Sequence, residues 1–250
     1  MKVFPSGAVF QVFDTLDSTS LEAKRRAHAG EAGPCWIIAV RQTAAYGRRQ
    51  RAWRQEVGDL AATLLFSPGG PVEHRGQLSF VTSLAVGSAL EEYAPSAKVA
   101  LKWPNDVMLD RKKCAGILLE NLDGKIAIGI GVNIVTAPDD LPYPAARLID
   151  FAPAPPPQEL AGRIDSYFFE FYRLWRDKGF APIRERWLAH ATGLGEEITV
   201  RLPNEEFGGV FETIDEDGGL LLRSPLGRRT VAAGEVFFGR DTMAEDAARN

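Results

Sequence analysis

Three segments of the sequence combine residues that bind anions with glycines that let a ligand approach the backbone. The first reads VRQTAAYGRRQRAW, and the residues that stand out in it are Gly47, Arg48, Arg49, Arg51 and Trp53. Guanidinium groups bind phosphate oxygens through paired hydrogen bonds, and an indole can pack on an adenine ring. Glycine lets the backbone come close to a ligand. The segment indicates a phosphate-binding loop, and the alternative is a solvated basic loop.

The second segment, residues 100–121, reads ALKWPNDVMLDRKKCAGILLEN. It contains a Trp-Pro pair, an Asn-Asp turn and a basic turn before an apolar strand. Lys102 and Lys113 are both candidates to contact one anionic group. Asp106 is a candidate ligand for Mg²⁺ or a partner that orients a lysine. The alternative is a β-hairpin with a charged turn and no ligand.

The third segment, residues 125–135, reads KIAIGIGVNIV and predicts a strand with two glycines on one face. Missing side chains at Gly129 and Gly131 leave room for a ligand against the sheet. Asn133 offers a hydrogen-bond donor and an acceptor at the end of the strand. The alternative is a strand flattened to pack against a helix.

Composition excludes several classes of protein. The chain has 250 residues, a net charge of −4, two cysteines and three scattered histidines. This charge argues against nucleic acid as the main partner, and the few cysteines argue against a disulfide framework or a structural zinc site. The sequence has no run of about eighteen apolar residues and no leader pattern. We therefore expect no membrane contact and a cytoplasmic location.

The order of predicted elements indicates an α/β protein with a small β domain at its C-terminal end. Strands and helices alternate up to a proline-rich segment at 151–160, which reads as a linker or an extended crossing segment. A long helix over 159–179 carries an aromatic stripe typical of core packing. Short strands with glycine turns follow. We expect a catalytic domain at 1–190 and a small β domain at 191–250.

The order of motifs resembles the catalytic domain of biotin protein ligases over residues 12–135. The motifs are LDSTS, RQTAxxGRRxRxW, KWPND, KxAGILLE and GIGVN. The later stretch LGEEITVRLP resembles the start of that family's SH3-like domain, and the sequence shows no helix-turn-helix region of the ligase-repressor subgroup. The resemblance implies a mixed sheet flanked by helices, as in class II synthetases, with a C-terminal SH3-like barrel.

The resemblance also implies ligand contacts. Ser18, Thr19 and Gln42 match positions at the ureido ring of biotin. Gly116 and Gly129 match the floor under the acyl tail. Arg51 and Trp53 match contacts to phosphate and adenine, and Asn133 matches a further nucleotide contact. The remaining expected contacts are Gly47 in the loop that closes over the acyl-adenylate, and Lys102 and Asn105 in the KWPND motif.

The implied activity is the ATP-dependent activation of biotin to an adenylate and its transfer to a lysine of a carboxyl carrier protein. Two anions meet in this reaction, so the catalytic residues are expected to be cationic, namely Lys113 and Arg48. Mg²⁺ is expected at Asp106. A homodimer is left open. We expect the ligand site to lie within residues 1 to about 185, before the terminal β domain.

Several positions depart from the family pattern. The loop, usually GRGRRGR, has Ala45, Tyr46 and Gln50 in place of glycine, arginine and glycine. Asp59 stands in the family's GNL triplet, and Ser20 stands where asparagine is common. Three alternatives therefore stay open: a ligase for lipoate or octanoate, an acyltransferase without an adenylate step, and a non-catalytic binder. The presence of Lys113 favours an enzyme.

Overall fold

Eight strands form one mixed sheet in the first part of the chain. The computed structural model describes residues 2–140 and 143–238. The strands are β1 (Lys2–Val3), β2 (Val9–Leu16), β3 (Cys35–Gln42), β4 (Leu60–Phe66), β5 (Val99–Lys102), β6 (Asp106–Leu109), β7 (Lys112–Leu122) and β8 (Lys125–Val132). Their spatial order is β1-β2-β3-β4-β8-β7-β6-β5. Only β2 and β3 run parallel, so the predicted mixed sheet is confirmed.

Four α-helices cover the two faces of this sheet. They are α1 (Thr19–His28), α2 (Leu78–Tyr93), α3 (Pro157–Lys178) and α4 (Ala181–His190). Alternate residues of β3 face opposite sides, as the pleat requires. Trp36 and Ile38 join the main core with α2 and α3, whereas Cys35 and Ile37 pack with Ala23 of α1. The site described below lies on the α1 face.

The long aromatic helix is confirmed, with an earlier start than predicted. Phe168, Phe171 and Trp175 are buried on α3, as core packing requires. Pro157 was assigned to the proline-rich linker, but it is the first residue of α3. Proline is tolerated there because the first turn of a helix has no partner for the missing N–H group. The extended segment is therefore shorter than 151–160.

Five antiparallel strands form a second sheet at the C-terminal end. They are β9 (Glu197–Arg201), β10 (Glu206–Ile214), β11 (Leu220–Ser224), β12 (Gly227–Val231) and β13 (Glu235–Phe238), in the order β12-β11-β10-β9-β13. The last two of these strands, β12 and β13, come from the segment that follows residue 226. The small sheet predicted from the glycine turns is confirmed.

The second sheet is attached to the rest of the chain by hydrogen bonds from the β5–β6 turn and from α4. The indole of Trp103 donates to the carbonyl of Gly218 at 3.0 Å, and Arg184 donates to the carbonyl of Ile214 at 2.6 Å. Val200 and Phe211 of the second sheet belong to the same continuous cluster of buried side chains as the core of the larger sheet. The β domain is thus held in a fixed place beside the larger sheet. Within the described residues, no helix is both long and apolar enough to cross a membrane.

Candidate active site

A cavity of about 390 Å³ lies between the loop of residues 43–59 and the α1 face of the larger sheet. Its walls come from the start of α1, the end of β3, the β5–β6 turn, and the strands β7 and β8. The turn before β13 closes it on the side of the second sheet. The antiparallel pairing of β7 with β8 places Gly116 opposite Gly131 and Leu118 opposite Gly129. The floor of the cavity is therefore made largely of backbone.

Lys113 is held by a carboxylate and two aromatic rings. Its Nζ lies 2.7 Å from Oδ1 of Asp106, and both side chains are more than four-fifths buried. The same ammonium lies 5.7 Å from the ring centroid of Trp53 and 5.4 Å from that of Tyr143, within cation–π range. Burial lowers the pKa of Lys113, but the Asp106 and Tyr143 side chains outweigh it and the net pKa is raised. Lys113 is a fixed cation at neutral pH.

Arg48 reaches across the cavity toward the second sheet. Its Nη1 donates to Oδ1 of Asn105 and to the carbonyl of Gly234, each at 3.2 Å. Burial lowers the pKa of Arg48 below its usual value, yet a guanidinium keeps its charge in proteins. Arg51 pairs with Glu235 at 3.0 Å, and Arg49 lies 3.5 Å from the same carboxylate. These contacts tie the arginine-rich loop to the second sheet.

The glycines of the floor make room for Trp53 and Ser20. A Cβ at Gly131 would overlap the Trp53 indole, and a Cβ at Gly116 would lie 3.2 Å from the same ring. A Cβ at Gly129 would lie 2.9 Å from Oγ of Ser20. The side chain of Trp53 therefore lies flat along β7 and β8, where it forms part of the cavity wall beside Lys113.

A cluster of hydroxyl and amide groups forms the wall nearest α1. The Oε1 atom of Gln42 accepts from the backbone N–H of Thr19 at 2.8 Å, and Thr63 donates to Oγ1 of Thr19 at 2.8 Å. Ser18 caps α1, because its side chain accepts from the N–H of Ser20 at 3.2 Å. These side chains are fixed by one another, and Ser18, Thr19 and Gln42 line the cavity in defined positions.

Every site residue predicted from the sequence lines this cavity except Asn133, and Arg49 of the arginine-rich loop does not line it either. The lining residues among them are Ser18, Thr19, Gln42, Gly47, Arg48, Arg51, Trp53, Lys102, Asn105, Asp106, Lys113, Gly116 and Gly129. Asn133 is 4% exposed, and its amide nitrogen donates to the carbonyl of Ala146 at 3.2 Å. Its backbone N–H donates to Cys114. Asn133 therefore braces the chain beyond β8 and does not reach the cavity.

Comparison with known proteins identifies the family. A model of the biotin/lipoate A/B protein ligase family matches residues 12–135, and one of the biotin protein ligase C-terminal domain matches residues 193–239. A biotin–[acetyl-CoA-carboxylase] ligase of Paracoccus denitrificans is 41% identical over 241 residues, which cover 89% of this chain and 98% of that protein. The chain belongs to the biotin/lipoate protein ligase family. The family predicted from the motifs is thus confirmed.

Two solved structures of the family have the same fold. The biotin protein ligase of Aquifex aeolicus in complex with biotin and ATP has a TM-score of 0.81 at 26% identity, covering 92% of this chain and 97% of that one. The Leishmania major enzyme in complex with biotinyl-5-AMP has a TM-score of 0.65 at 26% identity, covering 90% and 99%.

Part of the cavity wall was not predicted from the sequence. Gly234, Glu235 and Phe237 of the second sheet line the cavity, so the expectation that residues 1 to about 185 hold the whole site is wrong. Tyr143, which packs on Lys113, was also missed. Neither Tyr143 nor the segment at 234–237 belongs to a motif that predicts a ligand contact, and only the fold brings these residues to the loop.

Proposed function

We propose that this protein is a biotin protein ligase, which joins biotin to ATP as an acyl-adenylate and passes the biotinyl group to a carrier lysine. One observation carries the proposal. A single loop-covered cavity contains a fixed cationic pair, Lys113 and Arg48, beside a backbone floor and a buried cluster of hydroxyl and amide groups. The relatives that contain biotin, ATP or biotinyl-AMP share this fold.

The first step brings two anions together. A carboxylate oxygen of biotin attacks the α-phosphorus of ATP, the bond to the bridging oxygen breaks, and pyrophosphate leaves with the electron pair. Lys113 and Arg48 offset the repulsion and stabilise the charge that builds on the α-phosphate oxygens. Because both side chains are already held by Asp106 and Asn105, little reorganisation is needed when the ligands bind.

The second step transfers the acyl group. The neutral amine of a carrier lysine attacks the carbonyl carbon of the mixed anhydride, AMP leaves, and a proton is lost from the nitrogen. Part of the loop of residues 43–59 lines the cavity, and we propose that it shields the anhydride from water until the carrier arrives. The proposed partners are therefore biotin, ATP and a biotin-acceptor domain. A homodimer and the lack of DNA binding stay predictions from the sequence.

We propose specific contacts from the match of each wall residue to the family's motifs. We propose that Ser18, Thr19 and Gln42 bind the polar ring of the acid, and that its tail lies on Gly116 and Gly129. Arg51, Trp53, Lys102, Asn105 and Gly47 are proposed to contact the adenylate. We do not assign a ligand contact to Asn133, because its side chain is used within the protein.

Mg²⁺ supplies charge neutralisation on the triphosphate in such reactions. Within residues 2–140 and 143–238, no group of three or more metal-binding side chains comes together. Asp106 belongs to no such group and is paired with Lys113, which favours its role in orienting the lysine. The described residues therefore form no metal cage, and we expect a Mg²⁺ ion to arrive bound to the nucleotide phosphates.

We also propose a division of the chain near residue 190, where α4 ends and the strands of the second sheet begin. A cytoplasmic location follows from the substrates, since ATP and carrier proteins of metabolism are found there.

The test is to incubate the protein with ATP, Mg²⁺ and one acid at a time: biotin, lipoate or octanoate. Biotinyl-AMP and pyrophosphate, detected by mass spectrometry and a coupled assay, are expected only with biotin. If acyl-AMP forms only with lipoate or octanoate, that acid is the substrate in place of biotin, and the adenylating chemistry is retained. Binding without pyrophosphate release would identify a non-catalytic binder, and acyl transfer without ATP would identify an acyltransferase.

A further inference from the structure

A chain of buried hydroxyl groups runs through the wall formed by α1, β3 and β4. Oγ1 of Thr63 on β4 donates to Oγ1 of Thr19 at 2.8 Å, and Thr19 donates to Oε1 of Gln42 at 3.2 Å. Oγ of Ser20 lies 3.4 Å from Oγ1 of Thr63. Thr63 is fully buried, and Thr19 and Ser20 are each 4% exposed. Bulk water has little access to these groups, so they satisfy one another.

One backbone donor sets the direction of every hydrogen bond in this chain. The N–H of Thr19 can only donate, and it points at the Gln42 side chain at 2.8 Å, so the accepting atom is the amide oxygen. The Thr19 hydroxyl lies against the same oxygen and also donates. Because a hydroxyl has one proton, Thr19 can only accept from Thr63, and Thr63 can only accept from Ser20. All three hydroxyl protons therefore point toward Gln42.

The chain borders the cavity at both ends, whereas its middle member does not. Ser20, Thr19 and Gln42 line the cavity, and the fully buried Thr63 is not part of its wall. Oγ of Ser20 lies 2.9 Å from the position that a Cβ on Gly129 would take, so it stands over the cavity floor. Loss of the Thr63 hydroxyl would leave Ser20 without an acceptor and Thr19 without a donor, and both hydroxyls could then turn.

We propose that Thr63 is a positioning residue for recognition of the acid. It holds Thr19 and Ser20 in one arrangement of donors and acceptors, which favours an acid with N–H and C=O groups on its ring over an acid with an apolar ring. Groups that are already oriented lose little freedom when a matching ligand binds. The inference rests on the proposed function for the choice of biotin, whose cyclic urea carries N–H and C=O groups. Lipoate, whose dithiolane ring carries neither, is the comparison acid.

Thr63→Val keeps the branched side chain and removes the hydroxyl, so it tests this role directly. Calorimetry should show a Kd for biotin about tenfold higher, whereas the Kd for lipoate, measured by displacement of biotin, should change less than about twofold. The KM for biotin should rise by a similar factor, while kcat and the KM for ATP stay close to the wild-type values. Thr63→Ser retains the hydroxyl and should restore the preference for biotin.

Thr82→Val is the matched control. Thr82 is also fully buried, and its hydroxyl donates to the carbonyl of Leu78 within α2 at 2.7 Å, away from the cavity. This variant should bind both acids as the wild type does. If Thr63→Val does not fold, as judged by circular dichroism, Thr63→Cys takes its place, because a thiol is a weak donor and the same loss of preference is expected.

Two results would overturn the role of Thr63: an unchanged Kd for biotin, or equal losses of affinity for biotin and lipoate. The second result would mean that the substitution only damages the wall. If the wild type binds biotin but forms no acyl-AMP with any acid, the proposed function fails, and the binding comparison still decides the role of Thr63. If the wild type binds neither acid, both proposals fail.

Discussion

Lys113 and Asp106 lie on neighbouring strands, and their side chains meet 2.7 Å apart inside the cavity. Asp106 begins β6, and Lys113 lies at the start of β7 after a tight turn in which Asp110 and Arg111 adopt positive φ angles of 47° and 64°. The turn and a one-residue register shift between Val107 and Met108 together set how the two strands pair. A cation is thereby presented to the ligands by rigid elements and not by a mobile side chain.

Replacing Lys113 with alanine should abolish adenylate formation and leave the fold intact. The loss of a fixed cation at the reacting phosphate costs about 2–4 kcal/mol of transition-state stabilisation. The measurement is the rate of pyrophosphate release with saturating biotin and ATP. Lys112→Ala, which removes the exposed lysine next to it, is the matched control and should retain activity. Unchanged pyrophosphate release by Lys113→Ala would reject the assignment.

Replacing Gly131 with alanine should displace Trp53 from its position along β8. The new Cβ would overlap the indole, and a forced shift of this kind typically costs about 1–3 kcal/mol. Because Trp53 packs beside Lys113, we expect weaker binding of biotin with ATP by calorimetry. Gly76→Ala is the control, since nothing lies within 4 Å of that position. Equal affinity of the two variants would show that Trp53 does not shape the ligand site.

Replacing Asp59 with asparagine should destabilise the protein, although asparagine is the usual residue of the family at this position. Oδ1 of Asp59 accepts from the N–H groups of Ile134, Val135 and Thr136, at 2.8–3.1 Å. Oδ2 accepts from the Thr136 hydroxyl and from the N–H of Glu56. Asparagine would place its NH₂ group at one of the two oxygen positions, where it would face other hydrogen-bond donors. Such an unsatisfied contact costs about 1–3 kcal/mol of stability. Urea unfolding measures the loss.

The control for this variant is Asp150→Asn, which alters an exposed carboxylate paired with Arg147. An exposed pair contributes little, so this change should leave the free energy of unfolding within about 0.5 kcal/mol. If Asp59→Asn is no more harmful than the control, the buried carboxylate does not hold the chain beyond β8 as described.

Both cysteines should resist labelling in the folded protein. Burial raises the pKa of Cys35 and of Cys114 to about 12. At pH 8 the reactive thiolate is then on the order of one part in ten thousand. A chromogenic disulfide reagent should react slowly with the native protein and rapidly once denaturant is added. Native labelling as fast as that of a free thiol would mean that β3 or β7 opens readily.

The family, the mixed α/β fold and most of the cavity-lining residues could be predicted from the sequence. The fold could be predicted because strands and helices depend on local pattern, whereas the cavity-lining residues were predicted from the motifs that resemble the family. Cys35–Gln42 is apolar and rich in branched side chains, so it reads as a buried strand, and the glycines of β8 leave room on one face in any register.

Tertiary structure alone decided which side chains face the ligand and what holds the loop. Glu235 is far from Arg51 in sequence, and only the docking of the second sheet brings their charges to 3.0 Å. Asn133 has the chemistry of a ligand contact, yet the backbone beyond β8 uses its amide. Tyr46 meets Lys24 and Glu120 because α1, the loop and β7 converge at one corner. Such contacts depend on where distant elements pack, which no local spacing of residues specifies.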